Sequence, residues 1–164
     1  NSQRAFLGSS AEERKNSIEG NLHLKDGMRN ILGGRIIVVI DDSTIRGNNA
    51  THVRELLYKG AGVREAYLLN YTPQVGIVGD DGVKHGCEFG VDMPPKENPN
   101  HKFIARGRTI KQISAKIGMP TRFISLDGML EVFRSFGISE KELCTFCIGG
   151  QHPFNNLERR VCAV

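Results

Sequence analysis

Apolar runs and helical spacings alternate along the middle of the chain and predict its first strands and helix. Residues 36–40 are five apolar residues in a row, mostly β-branched, which is typical of a buried strand in a parallel sheet. Residues 66–71 predict a second buried strand. The segment between them, residues 49–59, places apolar side chains on one helical face and ends before Gly60. The order strand, helix, strand predicts a parallel βαβ unit.

The alternation continues through the second half of the chain. Residues 72–101 contain clusters of Pro, Gly and Asp and are therefore expected to be mostly loop. Ile110, Ile113 and Ile117 recur at helical spacing and predict an amphipathic helix, and residues 122–126 predict a short strand. The chain is thus expected to have an α/β fold built on a parallel sheet.

Two further helix starts are predicted from capping residues. Asp127 is expected to cap the helix of residues 128–136, because a short acceptor side chain can bind the free N–H groups of a first turn. Ser139 and Glu142 stand at capping-box spacing and predict a short helix that leads to Cys144.

Polar residues directly after the first predicted strand form the candidate site. Asp41 and Asp42 end the strand, a short loop with Gly47 follows, and a helix opened by Asn48 and Asn49 comes next. Free N–H groups and the dipole of a helix start favour a phosphate, and carboxylates accept hydrogen bonds from vicinal hydroxyls. Response-regulator receivers and Asp-x-Asp phosphatases also carry acids at strand ends, but neither explains the Ser-Thr-Ile-Arg-Gly loop. The pattern therefore favours a site for a phosphorylated sugar or nucleotide.

The stretch VVIDDSTIRGNN, residues 38–49, resembles the phosphoribosyl pyrophosphate (PRPP) motif of type I phosphoribosyltransferases. A closer resemblance is to the phosphoribosyltransferase half of the glutamine amidophosphoribosyltransferase family. Further segments resemble that family in the same order, and together they span roughly residues 4–154: residues 4–14, 87–93, 103–105, 109–118, 122–130 and 144–154. The resemblance implies a type I phosphoribosyltransferase fold, with residues 1–164 forming a single, partial domain that ends in a cysteine-containing tail.

The resemblance also implies that this fold is truncated at its N terminus. The family has a glutaminase domain whose nucleophile is its first cysteine, whereas the first cysteine here is Cys87. The fold also needs earlier strands and a loop that cradles pyrophosphate, and nothing before Arg4 resembles them. We therefore expect a carboxyl-terminal fragment or the product of a truncated gene, with an incomplete sheet. Its expected partners are an upstream glutaminase domain or subunit and further copies of itself in a homo-oligomer.

Roles for the site residues follow from the resemblance. Asp41 and Asp42 would be the catalytic residues, binding the ribose hydroxyls directly or through Mg²⁺ and stabilising an oxocarbenium-like transition state. Ammonia would displace pyrophosphate from C1 of PRPP. Arg46 would either contact a phosphate or be a solvent-exposed loop charge. The implied PRPP-binding residues, of which those from Ser43 onwards would hold the 5-phosphate mainly through backbone N–H groups, are Asp41, Asp42, Ser43, Thr44, Ile45, Arg46, Gly47, Asn48 and Asn49.

Two departures from the family pattern leave a second function open. The usual Gly-Thr-Thr is Gly47-Asn48-Asn49, and Asn21 stands where the family has a lysine that would neutralise leaving pyrophosphate. Asn can still cap a helix and donate hydrogen bonds. The alternative to an enzyme is thus a non-catalytic paralogue or fragment that binds PRPP or nucleoside monophosphates and acts as a regulator or partner subunit.

Three cysteines form a second candidate site. Cys144 and Cys147 make a C-x-x-C pair, and Cys87 lies earlier in the chain. In context they resemble three of the four thiolates that hold a 4Fe–4S cluster in some family members. Reduced buried thiols and a zinc site are the alternatives. Cys162 is a possible fourth ligand, although its tail position matches nothing in the family. We expect the three sulfurs to lie close together.

Composition and charge limit the class of protein, the partners and the location that the sequence allows. The 164 residues can bury an adequate core, and 39% hydrophobic with 24% charged residues is an ordinary globular balance. The net charge of +4 suits a polyphosphate substrate, but no basic stripe with interleaved aromatics predicts a nucleic-acid partner. No apolar run approaches the roughly 20 residues of a membrane helix, and no signal peptide is visible, so a cytoplasmic protein is expected. The five histidines show no metal-ligand spacing and are expected in loops or at the surface.

Overall fold

The computed structural model describes residues 22–80, 82–89, 93–96, 102–152 and 154. Its centre is a parallel sheet of three strands in the order β1-β2-β3, and helices precede, connect and follow the strands. The strands are β1 (Ile36–Asp41), β2 (Glu65–Asn70) and β3 (Thr121–Phe123). The helices are α1 (Met28–Leu32), α2 (Asn48–Glu55, continued by the π-helical turn Leu56–Ala61), α3 (Ile110–Ile117) and α4 (Leu126–Ser135), with 3-10 turns at Glu140–Glu142 and Phe146–Ile148. The predicted α/β architecture with a parallel sheet is confirmed.

The predicted βαβ unit is present as β1, α2 and β2. The two strands run parallel, in a register that pairs Ile36 with Glu65 and Asp41 with Asn70. The second strand begins and ends one residue earlier than expected, at Glu65 and Asn70. The helix extends to Ala61 because its last turn is π-helical, and Gly62 then ends it with a positive φ of 69°.

Among the described residues, those that pack on this sheet cover only one of its faces, so the prediction of two fully buried strands is wrong in part. Ile37, Val39, Ala66 and Leu68 pack into a core with residues of α2 and α3. On the other face Val38 is 54% exposed and Ile40 is 72% exposed. Exposed beside them on that face and at its end are Ile36, Tyr67, Leu69 and Tyr71. The reason is that α2 and α3, the helices that connect the strands, both pack on the first face.

The third strand and the helix after it are shifted from the prediction. The strand covers Thr121–Phe123 rather than residues 122–126. Ser125, not Asp127, caps α4: its hydroxyl accepts a hydrogen bond from the Gly128 N–H at 3.0 Å. Asp127 lies within the first turn instead. Both residues are good caps, and Ser125 takes the position because it is the last residue with an extended backbone.

The capping box of Ser139 and Glu142 is confirmed. The Ser139 N–H donates to Glu142 Oε2 at 2.8 Å, and the Ser139 hydroxyl accepts from the Lys141 N–H at 3.3 Å. The helix that it starts is a single 3-10 turn, Glu140–Glu142. A second capping box, formed by Thr109 and Gln112, begins α3.

The long connection after β2 is loop, as predicted, throughout its described residues, where Val78 and Lys84 form one isolated bridge. Arg106 holds this loop together. Its guanidinium donates to the carbonyl oxygens of Gly76 at 2.8 Å and Pro95 at 2.6 Å, and to that of His85, and lies over the Phe103 ring at 4.6 Å. His85 is a loop residue as expected but is buried, with its Nδ1 2.6 Å from the Phe146 carbonyl oxygen.

Several predictions concern residues outside the described part of the chain. These are the segment at residues 4–14, Asn21, residues 90–92 of the segment at 87–93, His101 and Cys162. Within the described ranges, each helix is too short or too polar to cross a membrane.

Candidate functional site

The candidate site lies at the carboxyl end of β1. Asp41 is the last residue of this strand and is paired with Asn70, the last residue of β2. Two hydrogen bonds continue the contact beyond the strands. The Tyr71 N–H donates to the Asp41 carbonyl at 3.2 Å, and the Thr72 hydroxyl donates to the Asp42 carbonyl at 2.6 Å. Hydrogen bonds from the residues just after β2 therefore fix the backbone of the two acids. This backbone lies at the carboxyl ends of the strands, where ligand sites of open α/β folds are found.

The two carboxylates each bind the next backbone N–H. Asp41 Oδ1 accepts from the Asp42 N–H at 3.0 Å, and Asp42 Oδ1 accepts from the Ser43 N–H at 2.6 Å and from its hydroxyl at 3.4 Å. Burial raises the pKa of Asp41, and the neighbouring charge of Asp42 adds to this, while the Asp42 N–H opposes it. A partly desolvated carboxylate beside a second one is stabilised by a cation.

This pair fits Mg²⁺. Magnesium is commonly held by one or two carboxylates together with waters and the phosphates of a substrate, rather than by a full cage of protein ligands. In the described ranges, no group of three or more His, Cys, Asp or Glu side chains is arranged to hold a metal ion. Asp41 and Asp42 are the residues that would hold it.

The loop after the acids turns two of its side chains into the protein. Thr44 is 4% exposed, and its hydroxyl donates to Asn70 Oδ1 at 2.6 Å. Ile45 packs against a buried cluster that includes Phe103 and Met129, and its carbonyl accepts from the Ile104 N–H at 2.8 Å. Arg46 is half-buried, with its Nε shielded from solvent, so its interpretation as a solvent-exposed loop charge is wrong. Thr44 and Ile45 can therefore offer a ligand their backbone rather than their side chains.

The start of α2 differs from the prediction in its cap. Gly47, with a φ of 87°, occupies the N-cap position, and no side chain caps the helix, so Asn48 and Asn49 are exposed first-turn residues and not caps. The first turn also carries no acidic residue. Gly47 is favoured here because its φ is one that other residues rarely adopt, and a Cβ there would lie 2.5 Å from Ile104 Cδ1, so that this side chain would have to move. The uncapped N–H groups of this turn can bind an anion.

The sequence interpretation missed the contribution of β2. Asn70 and Thr72 both hydrogen-bond the loop of residues 42–47, here called the acid loop, and neither was among the candidate residues. The sequence does contain a pattern that could have identified them. The polar Asn70 follows the mainly apolar run of residues 66–69, and Tyr71 and Thr72 come directly after it. Neighbouring parallel strands end at the same edge of a sheet, so polar residues at the end of β2 lie near those at the end of β1.

The three cysteines share one neighbourhood. Burial raises the pKa of the Cys147 thiol, and the charges of Cys87 and Cys144 raise it further. All three thiols are free, with Cys144 exposed and the other two half-buried. The Cys147 carbonyl accepts from the Gly76 N–H at 2.8 Å, which joins this region to the loop after β2. Although thiols are suitable ligands for iron or zinc, the described residues form no arranged metal-binding group, so the cluster stays a prediction.

Comparison with known proteins finds similarity to the same family that the sequence motifs resemble. The chain is similar to curated proteins named amidophosphoribosyltransferase from Methanocaldococcus jannaschii, Synechococcus elongatus and Bacillus subtilis, with 27%, 29% and 26% identity, each over 92% of the chain. The matched region is 28%, 27% and 29% of those proteins, so the chain spans little more than a quarter of their length. No protein-family model matches the chain. The resemblance to amidophosphoribosyltransferases is confirmed as a similarity along nearly the whole chain.

Proposed function

We propose that this chain carries the PRPP-binding site of an amidophosphoribosyltransferase, which replaces the pyrophosphate of PRPP by an amino group in de novo purine synthesis. The observation that carries the proposal is the acid pair Asp41-Asp42 at the end of β1, joined by a short loop to the uncapped start of α2. The similarity to amidophosphoribosyltransferases over 92% of the chain supports it. The type I phosphoribosyltransferase fold belongs to the same proposal.

The acid pair would bind the ribose. Both carboxylates use their Oδ1 for the local backbone bonds, which fixes the carboxyl groups in place and leaves each Oδ2 to accept from a sugar hydroxyl. Mg²⁺ bound at Asp41 and Asp42 would neutralise negative charge on the substrate phosphates. As the bond from C1 to pyrophosphate weakens, positive charge develops on the ribose, and the two fixed carboxylates stabilise it.

The loop and helix start would bind the 5-phosphate. Gly47 lets the backbone approach closely, and the first-turn N–H groups of α2 together with the helix dipole favour an anion. The exposed carboxamides of Asn48 and Asn49 would donate hydrogen bonds where the related motif has threonine hydroxyls.

The reaction proposed is a substitution at C1. The nitrogen of ammonia forms a bond to C1, the bond from C1 to the pyrophosphate oxygen breaks, and pyrophosphate leaves with the electron pair while the nitrogen gives up a proton to solvent. This chain would contribute positioning and charge stabilisation. Ammonia supply and the grip on pyrophosphate would come from a further domain or subunit, in a cytoplasmic homo-oligomer. The non-catalytic alternative is not favoured, because the relatives compared are all named as transferases.

Calorimetric titration with PRPP in the presence of Mg²⁺ tests the proposal. We expect saturable binding that is lost on removing Mg²⁺ and that Asp41→Asn or Asp42→Asn weakens by about tenfold or more. Asp26→Asn is the matched control, since Asp26 is an exposed acid beside α1, which packs against the far end of α2. Folded protein that gives no binding heat, or equal losses for all three variants, contradicts the proposal.

A further inference from the structure

The acid loop is tied to the sheet by a buried side-chain pair. Thr44 and Asn70 are each 4% exposed, and the Thr44 hydroxyl donates to Asn70 Oδ1 at 2.6 Å. The amide nitrogen of Asn70 in turn donates to the Arg122 carbonyl at 3.1 Å. The side chain of Asn70 therefore links the loop after β1 to the backbone of β3, across the end of β2.

Asparagine suits this position because it both accepts and donates. Its amide oxygen accepts a hydrogen bond from the Thr44 hydroxyl, and its amide nitrogen donates one to the Arg122 carbonyl. An ionised aspartate would only accept, and would face the Arg122 carbonyl oxygen with a second oxygen. Leucine would leave the buried hydroxyl of Thr44 unpaired, and such a group is costly to bury without a partner.

The link restrains the part of the loop that would meet a ligand. Thr44 lies two residues after Asp42 and three residues before Gly47 at the helix start. Thr72, whose hydroxyl donates to the Asp42 carbonyl at 2.6 Å, restrains the loop a second time. Because Thr44 is buried, a loop movement that breaks its hydrogen bond to Asn70 would leave a polar hydroxyl poorly placed to bond water instead.

We propose that Asn70 is a positioning residue, which presets the acid loop for PRPP through Thr44 without touching the substrate itself. This inference rests on the proposed function for its choice of ligand. A loop that is ordered before binding loses less conformational entropy when the ligand arrives, so its affinity is higher. The geometry of Asp41 and Asp42 then depends on a residue of the neighbouring strand.

A matched pair of threonines tests this. Thr44→Val removes the hydroxyl at nearly constant volume, and Thr44→Ser keeps it. Thr121→Val makes the same change at the start of β3, at a site that is 0% exposed and level with Leu68, where the hydroxyl donates to the Met119 carbonyl at 2.9 Å rather than to the loop. We expect Thr44→Val and Asn70→Asp to weaken Mg²⁺-dependent PRPP binding by about tenfold, and Thr44→Ser by less than about threefold. Thr121→Val should lower the melting temperature but leave PRPP affinity unchanged.

Hydrogen exchange separates failure of this inference from failure of the proposed function. Without any ligand, Thr44→Val should speed amide exchange at residues 42–47 relative to the rest of the chain, and Thr121→Val should not. If wild-type protein does not bind PRPP but this local effect appears, the positioning role stands and the ligand is wrong. Unchanged exchange in Thr44→Val, or equal losses of PRPP affinity in Thr44→Val and Thr121→Val, overturns the positioning role.

Discussion

The side chain of Ile104 lies against the backbone of Gly47, so closely that a Cβ on Gly47 would be 2.5 Å from Ile104 Cδ1. Ile104 also hydrogen-bonds the loop, its N–H donating to the Ile45 carbonyl at 2.8 Å. A residue from the long connection after β2 therefore fixes the shape of the loop between the acids and α2.

Gly47→Ala should destabilise the protein through both the positive φ and this contact. The backbone conformation alone costs about 1 kcal/mol, and Gly62→Ala measures that part, since Gly62 has a φ of 69° and open space where its Cβ would be. We expect Gly47→Ala to lower the free energy of unfolding by about 1 kcal/mol more than Gly62→Ala in urea denaturation. Adding Ile104→Val, which removes Cδ1, should recover part of that difference; no recovery would contradict the contact.

Asp41 should make the protein less stable at neutral pH than in mild acid. Its pKa is raised in the folded state, so the stability that its protonated form provides is fully present below the unfolded value of about 3.8 and is lost as the pH rises through the folded pKa. Asp41→Asn should therefore raise the melting temperature at pH 7, with the gain shrinking towards pH 3.5, while it weakens PRPP binding by about tenfold or more. A variant that melts below wild type at pH 7 would contradict this.

Arg106 should be irreplaceable by lysine. Its guanidinium serves three carbonyls at once, those of Gly76, Pro95 and His85, and an ammonium group lacks the planar fork to reach them together. We expect Arg106→Lys to lower the free energy of unfolding by about 2 kcal/mol. Arg108→Lys is the control, because exposed Arg108 reaches carbonyls of the adjacent Phe103 and Ile104 only, and it should cost less than half as much.

The cysteines should bind an iron–sulfur cluster in protein made without oxygen. Although the described residues form no arranged metal-binding group, the resemblance of the Cys87, Cys144 and Cys147 segments to cluster-binding relatives predicts that an anaerobic preparation contains iron and absorbs broadly near ~400 nm. Cys147→Ser should remove both signals. Cys162→Ser tests whether the tail cysteine is the fourth ligand. An anaerobic preparation without iron would contradict the cluster.

The order of the elements could be predicted from the sequence, but the environment of β1 could not. Both faces of this strand are apolar, one carrying Ile36, Val38 and Ile40 and the other Ile37 and Val39. The alternation of side chains therefore cannot show which face a helix covers. The capping of α4 was ambiguous for a local reason, because Ser125 and Asp127 are both good acceptors near its start. The acid loop was correctly placed at a strand end, whereas its tie to Asn70 depends on the register between β1 and β2, which no local pattern carries.

The two faces of β1 offer a direct comparison. Val39 packs against the core and Val38 is 54% exposed, although they are neighbours in one strand. Val39→Thr should lower the free energy of unfolding by about 1 to 2 kcal/mol, because it buries a hydroxyl. Val38→Thr should change it by less than about 0.5 kcal/mol. Equal effects in thermal denaturation would mean that the second face is covered in solution.

Within the described residues, the uncovered face of the sheet is an apolar surface. It presents Val38, Ile40, Leu69 and the ring of Tyr67 to water, whereas helices cover the opposite face. A protein with such a surface is expected to be retained on phenyl resin at moderate ammonium sulfate concentrations, because this salt strengthens the burial of apolar groups. This expected retention follows from the placement of α2 and α3 on the same side of the three strands.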